Sequence, residues 1–194
     1  MQQAPLILAS GSPRRKRLLE QAGITFSVLA PKASEETGPG MDPEQAAMEL
    51  AARKAAAVAV DHPESWVLGA DTMVVLGKDI LGKPLDEDDA KRMITLLSGR
   101  THRVITGYCL QCLARGRTIT EAVTTRVTFR KLFPGEIEWY VSTGKAMDKA
   151  GAYGIQGPGA FMVKRLEGSY TNVVGLPLGE VVERLIAEGV LARK

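Results

Sequence analysis

The sequence holds only two cysteines and two histidines in 194 residues. Cys109 and Cys112 are too few for a disulfide framework. In a strand, residues three apart face opposite sides, so this C-x-x-C pair suits neither a disulfide nor a shared metal and reads as core. His62 and His102 offer no ligand cluster, and no Ser-His-Asp set is apparent. Apolar runs are short too: none approaches the ~18 residues that span a membrane. The first ten residues carry no positive charge ahead of their apolar run, unlike a secretory signal. Charge of one sign is also scarce. The 25 basic and 22 acidic groups leave a net +3, a weaker field than a protein built mainly for nucleic acid shows. The expectation is a cytoplasmic protein with no membrane contact and no stable nucleic-acid complex.

What is present is an ordinary globular mix, 45% apolar and 24% charged, which excludes a disordered tail or a coiled coil. The length suits one or two domains; without repeat, low-complexity tract or linker, residues 1–194 read as one. Leu6 to Ala9 reads as a buried strand. Ser12 is a good N-cap and Pro13 a good first helical residue, which predicts a helix from Pro13 to about Ala22 with Gly23 after its end. Residues 24–30 read as a second strand and 31–41 as a loop carrying Glu35 and Glu36. A helix opens at Asp42-Pro43-Glu44 and runs to about Val60. Val67 to Leu76 is a strand, followed by a turn and a short return at Ile80-Leu81. Asp86 caps a helix to Ser98, with acids at its positive end. Runs 102–114 and 118–130 form a hairpin. A short helix over 134–142, strands over 160–166 and 171–174, and a last helix from about Leu178 to Glu188 complete the chain. The pattern predicts an α/β fold: one mixed, twisted sheet with flanking helices.

Five stretches carry chemistry. Ser10-Gly-Ser-Pro-Arg-Arg15 sits where a strand turns into a helix, so unpaired first-turn N–H groups and the helix dipole favour an anion. Arg14 and Arg15 oppose that dipole unless an anion is bound, and their forks match phosphate oxygens; the alternative is a solvated basic turn. Asp71 interrupts a strand that is apolar on both faces, and a buried lone carboxylate costs several kcal/mol (roughly). It therefore needs a cation or a metal, and Gly69 and Ala70 leave space for close approach. Lys54 falls in the inward stripe Ala47, Leu50, Ala51, Lys54, Val58, unless it snorkels to solvent. Gly77 to Lys83 has the spacing of a phosphate loop, but Pro84 replaces the hydroxyl residue and breaks the N–H cradle. Lys83 remains a candidate single-charge contact. The glycine-rich stretch Asp148 to Gly159 either approaches a ligand closely or is a surface loop, and Gln156 can donate and accept at a base edge.

Together these stretches resemble the Maf family of nucleoside triphosphate pyrophosphatases, over nearly the whole chain from Leu6 to about Glu180. The motifs are S-G-S-P-R-R (10–15), L-A-x-x-K-A (50–55), G-A-D-T (69–72), G-K-P (82–84) and L-S-G-R-T-H (97–102). The run D-K-A-G-A-Y-G-I-Q-G (148–157) looks like the branch acting on dTTP and UTP. The resemblance implies a fold similar to inosine triphosphate pyrophosphatase, two lobes with a nucleotide cleft between them. It implies that Asp71 is the catalytic acid that activates water. Ser10, Arg14, Arg15, Lys54 and Lys83 would surround the triphosphate. Arg14, Thr72 and Gln156 would be tied to substrate choice. Glu35 with Asp71 would hold a divalent cation, Mg or Mn, with Glu36 the alternative one position on. The implied substrate is a pyrimidine nucleoside triphosphate. The implied role is house-cleaning of nucleotides with a link to arrest of cell division. A nucleotide-binding regulator without hydrolysis, and the same reaction on 7-methyl-GTP, are the rival readings. The hairpin at residues 115–117 offers an edge for a homodimer.

Overall fold

The computed structural model describes residues 4–34, 36, 38 and 40–192. The strands are β1 (Leu6–Ala9), β2 (Ser27–Val28), β3 (Trp66–Leu76), β4 (Asp79–Leu81), β5 (Thr101–Cys112), β6 (Arg117–Phe129) and β7 (Val163–Glu167). The helices are α1 (Pro13–Gln21), α2 (Pro43–Ala59), α3 (Glu87–Leu97), α4 (Pro134–Ser142), α5 (Tyr170–Val174) and α6 (Leu178–Ala187). The strands form one mixed sheet in the order β2-β1-β3-β5-β6-β7, with β4 beside β3. β1 runs parallel to β2 and β3, while β4 is antiparallel to β3 and β7 to β6. Mixed pairing with helices in the connections is the α/β architecture that the alternating pattern predicts.

The chain divides into two compact units. The first comprises Met1–Asp71, Thr106–Val123 and Gly175–Lys194, the second Thr72–Ile105 and Thr124–Val174. Each has its own core. In the first, Ile7, Ala9 and Val67 of the sheet pack on Ala51, Ala55, Val58 and Ala59 of α2. In the second, Ala90, Met93, Ile94 and Leu97 of α3 pack with Val104, Phe129, Tyr140 and Tyr153. No helix among the described residues is long and apolar enough to cross a membrane.

Helix starts follow local chemistry. Ser12, Asp42 and Asp86 each accept a backbone N–H of their own first turn, which satisfies donors that the helix itself cannot. Gly23 takes φ +68 just past α1, where a left-handed residue ends a helix. Three expectations are corrected. The strand expected over 160–166 begins only at Val163, because Gly157–Met162 is a 3-10 helix with Pro158 in its first turn. The second strand shrinks to Ser27–Val28. Residues 171–174 are not a strand: Tyr170–Val174 is a helical turn. There the Ser169 hydroxyl accepts from Asn172 N at 3.2 Å and Ser169 O from Val173 N at 3.3 Å, so a local cap outweighs the β preference of the two valines. Cys109 and Cys112 are free and buried, as core residues should be.

Candidate functional site

The site begins with a helix that comes unusually close to a sheet. The inner face of α2 is small: Ala46, Ala47, Ala51, Ala55 and Ala59 are buried on it. Opposite stand two glycines. A Cβ on Gly69 would lie 2.3 Å from Ala51 O and 2.7 Å from Ala55 N, and one on Gly107 would lie 2.3 Å from Ala47 O. The space at Gly69 is thus filled by α2 and is not left open for a ligand. That approach carries Lys54 inward, and its Nζ donates to Asp71 Oδ1 at 2.7 Å. The side chains are only 11% and 15% exposed. The cation that Asp71 requires in an apolar strand is Lys54, and the inward lysine of the helical stripe has a carboxylate at its tip. Neither charge is left alone in a low-dielectric setting, and the pair keeps an edge open to water.

The first turn of α1 separates its two arginines. Arg15 is buried; its Nε donates to Gly175 O at 2.7 Å and its Nη1 to Ser10 Oγ at 3.1 Å. Ser10 Oγ also accepts from Ser12 N at 3.2 Å. Arg15 therefore ties the end of β1 to the start of the C-terminal segment, and two of its donors serve the protein. Arg14 is half-buried on the same turn, while Lys16 and Arg17 are exposed. Local helix chemistry treats the two arginines alike; packing gives them different surroundings.

In the second unit, residues 150–159 form a tightly held segment. Gly151 N donates to Gly82 O at 2.9 Å, beside the exposed Lys83. Gly151 has φ +66, and a Cβ there would meet Val74 at 2.9 Å. Ala152 has φ +60, the one non-glycine among the described residues with positive φ, a strained conformation for an L side chain. Gly154 N donates to Tyr140 OH at 3.2 Å, and Tyr153 OH meets His102 Nε2 at 2.7 Å. Gln156 follows, extended and exposed. Burial pushes His102 down to about 4, so its ring is neutral at pH 7, and burial raises the Tyr153 phenol far above its ordinary value. Sequence reasoning passed over His102 and Tyr153 as chemistry; the signal available was a histidine inside an apolar strand.

Of the residues expected at the site, Asp71 and Lys54 are brought together, and Ser10 and Arg15 are bonded to each other. Thr72 is half-buried next to Asp71 in the chain; Lys83 and Gln156 lie in the second unit. Glu35 lies outside the described residues. Its neighbour Glu36 is held at its carbonyl by Arg53 Nη1 at 2.6 Å, one residue before Lys54 on α2. Among the described residues no group of three His, Cys, Asp or Glu side chains gathers as a metal cage. Asp71 is a hard oxygen donor, which suits the way Mg²⁺ is usually held, by one or two carboxylates and the substrate's own phosphates.

A family model described as "Maf-like protein" matches residues 5–188. The chain is 51% identical over 191 residues to a dTTP/UTP pyrophosphatase of Geobacter sulfurreducens, covering 98% of this chain and 100% of the relative. It is 46% identical to one of Desulfotalea psychrophila, over 97% and 96% of the two chains. It is 49% identical to one of Bacillus cytotoxicus, over 92% and 93%.

Proposed function

The chain belongs to the Maf family, and on that premise we propose that it hydrolyses dTTP and UTP to the monophosphate and pyrophosphate. The relatives named for that activity are about half identical to it over nearly full length. The structural observation that carries the reading is the Asp71–Lys54 pair, a carboxylate and an ammonium 2.7 Å apart at a partly open position.

In this reading Asp71 orients the attacking water and accepts its proton. The water oxygen bonds to the α-phosphorus, the bond from that phosphorus to the α,β-bridging oxygen breaks, and pyrophosphate leaves with the bonding electrons. Ser10, Arg14, Arg15, Lys54 and Lys83 are the groups proposed to meet the triphosphate, whose charge of about −4 needs several cations. Arg14, Thr72 and Gln156 are proposed to select the nucleotide. Asp71 and Glu35 would hold a divalent ion, Mg²⁺ or Mn²⁺, which would supply further neutralisation and polarisation of the phosphoryl group. Most of the rate then comes from positioning and electrostatics. The cellular role is removal of nucleotides that should not enter nucleic acid, in the cytoplasm.

The test is pyrophosphate release from dTTP, UTP, dCTP and 7-methyl-GTP, with and without Mg²⁺. Turnover should be confined to dTTP and UTP, and Asp71→Asn should abolish it while nucleotide still binds. Silence on every substrate would favour a binding protein, and preference for 7-methyl-GTP would move the chain to another branch.

A further inference from the structure

The segment that carries Gln156 is held by a buried clamp outside the catalytic pair. His102, Phe129 and Tyr153 form a triangle of edge-to-face rings. Their centroids are 5.0 Å apart for His102 and Phe129, 5.4 Å for His102 and Tyr153, and 4.7 Å for Phe129 and Tyr153. His102 is 2% exposed and Tyr153 5%. Inside this triangle, Tyr153 OH and His102 Nε2 are each other's hydrogen-bond partner at 2.7 Å. His102 Nδ1 is buried without one. A phenylalanine at 102 would fill the same space but leave the Tyr153 hydroxyl stranded, at the cost of an unmade buried hydrogen bond. What the imidazole adds beyond packing is therefore the bond to Tyr153.

That bond fixes a backbone with reason to move. Gly151 and Ala152, immediately before Tyr153, both have positive φ, and the alanine persists there only if its surroundings impose it. Immediately after it, Gly154 N is caught by Tyr140 OH. A Cβ on Gly159 would lie 2.3 Å from Gly154 O, so the segment folds back closely on itself. Gln156 emerges between these anchors, exposed, and its side-chain amide makes no hydrogen bond among the described residues, so that amide is available to a ligand.

We propose that His102 and Tyr153 are positioning residues for base selection: their buried bond holds the 150–159 segment in the one conformation that presents the Gln156 amide to the pyrimidine. The inference rests on the nucleotide reading above and adds the device that sets its selectivity. Without the clamp the segment samples other conformations, and apparent affinity falls by the competent fraction. The strain at Ala152 opposes the clamp and leaves the held and released conformations near balance, so losing one buried hydrogen bond, roughly a factor of ten in that equilibrium, lowers the competent fraction five- to tenfold. Once nucleotide is bound the segment is selected again, so the chemical step is little changed.

The experiment compares wild type with Tyr153→Phe, His102→Leu and His102→Gln, whose terminal amide restores a donor near the Nε2 position. KM and kcat for dTTP and UTP are measured, with dissociation constants for dTTP and for inorganic tripolyphosphate, which has no base. Tyr153→Phe and His102→Leu should raise KM for dTTP five- to tenfold with kcat within about twofold. Tripolyphosphate affinity should stay within twofold, and His102→Gln should recover most of the loss. Equal losses for dTTP and tripolyphosphate would mean general damage and overturn the proposal, as would unchanged KM in folded variants. A wild type that binds dTTP without cleaving it overturns the hydrolytic reading alone, because the ratio of the two dissociation constants still reports the clamp. A wild type that binds no nucleotide overturns both.

Discussion

Replacing Gly69 by alanine adds one carbon where two backbones already touch. The new Cβ would stand 2.3 Å from Ala51 O and 2.7 Å from Ala55 N. Both are main-chain atoms of α2 and cannot rotate away. Ordinary contact at about 3.4 Å requires the helix to retreat from β3 by about 1 Å. Overpacking of this kind costs roughly 1–3 kcal/mol, which for a chain of this size lowers Tm by about 2–12 °C. The same retreat moves Lys54, between Ala51 and Ala55, away from Asp71. A misplacement of about 1 Å in a catalytic array can cost on the order of 10²-fold in rate. Gly69→Ala should therefore lower both Tm and kcat for dTTP, read by thermal unfolding and pyrophosphate release. Gly179→Ala is the matched control: nothing lies within 4 Å of its added Cβ, and alanine favours the helix by roughly 0.5–1 kcal/mol, so Tm should hold or rise. If Gly69→Ala leaves Tm within 1 °C and the rate within twofold, the close approach of α2 is not what sets the site.

The remaining expectations concern charge. His102 has its folded-state value pushed from 6.5 down to about 4 by burial. Its stability contribution is complete above pH 6.5 and is lost as pH falls from there towards 4, because the unfolded chain takes up the proton first. At pH 4.5 this amounts to about 2.5 kcal/mol. Urea midpoints at pH 7 and 4.5 should show wild type losing that much more than His102→Gln; equal losses would refute the burial of a neutral imidazole. Lys54→Met leaves the Asp71 carboxylate mostly buried without its cation, a loss of roughly 3 kcal/mol. Asp71→Asn in the same chain should recover stability but not activity, measured by denaturant unfolding and turnover. Chelation with EDTA should stop hydrolysis of dTTP and added Mg²⁺ should restore it. A rate indifferent to chelator would remove the divalent ion from the scheme.

Much of this protein is legible along the chain because its causes are local. Ser12, Asp42 and Asp86 cap their helices through bonds spanning two or three residues, and such bonds can be read from residue order alone. The apolar stripe of α2 and the apolar run of β3 likewise mark Lys54 and Asp71 as out of place, so both were visible as residues needing partners. Residues 171–174 misled because a β-branched pair suggested a strand, while the decisive group was the Ser169 hydroxyl.

Tertiary structure decided what lies across sequence distance. That Lys54 answers Asp71, 17 positions away, follows from Gly69 and Gly107 admitting an alanine-faced helix. That Arg15 turns inward follows from a carbonyl at Gly175, 160 positions on. That His102 meets Tyr153 follows from packing within the second unit. Sequence alone determined which residues carry unmet chemical needs, since charge, hydrogen-bonding capacity and periodicity are properties of the chain. Only the folded structure chose their partners, since that choice depends on distances no linear spacing contains.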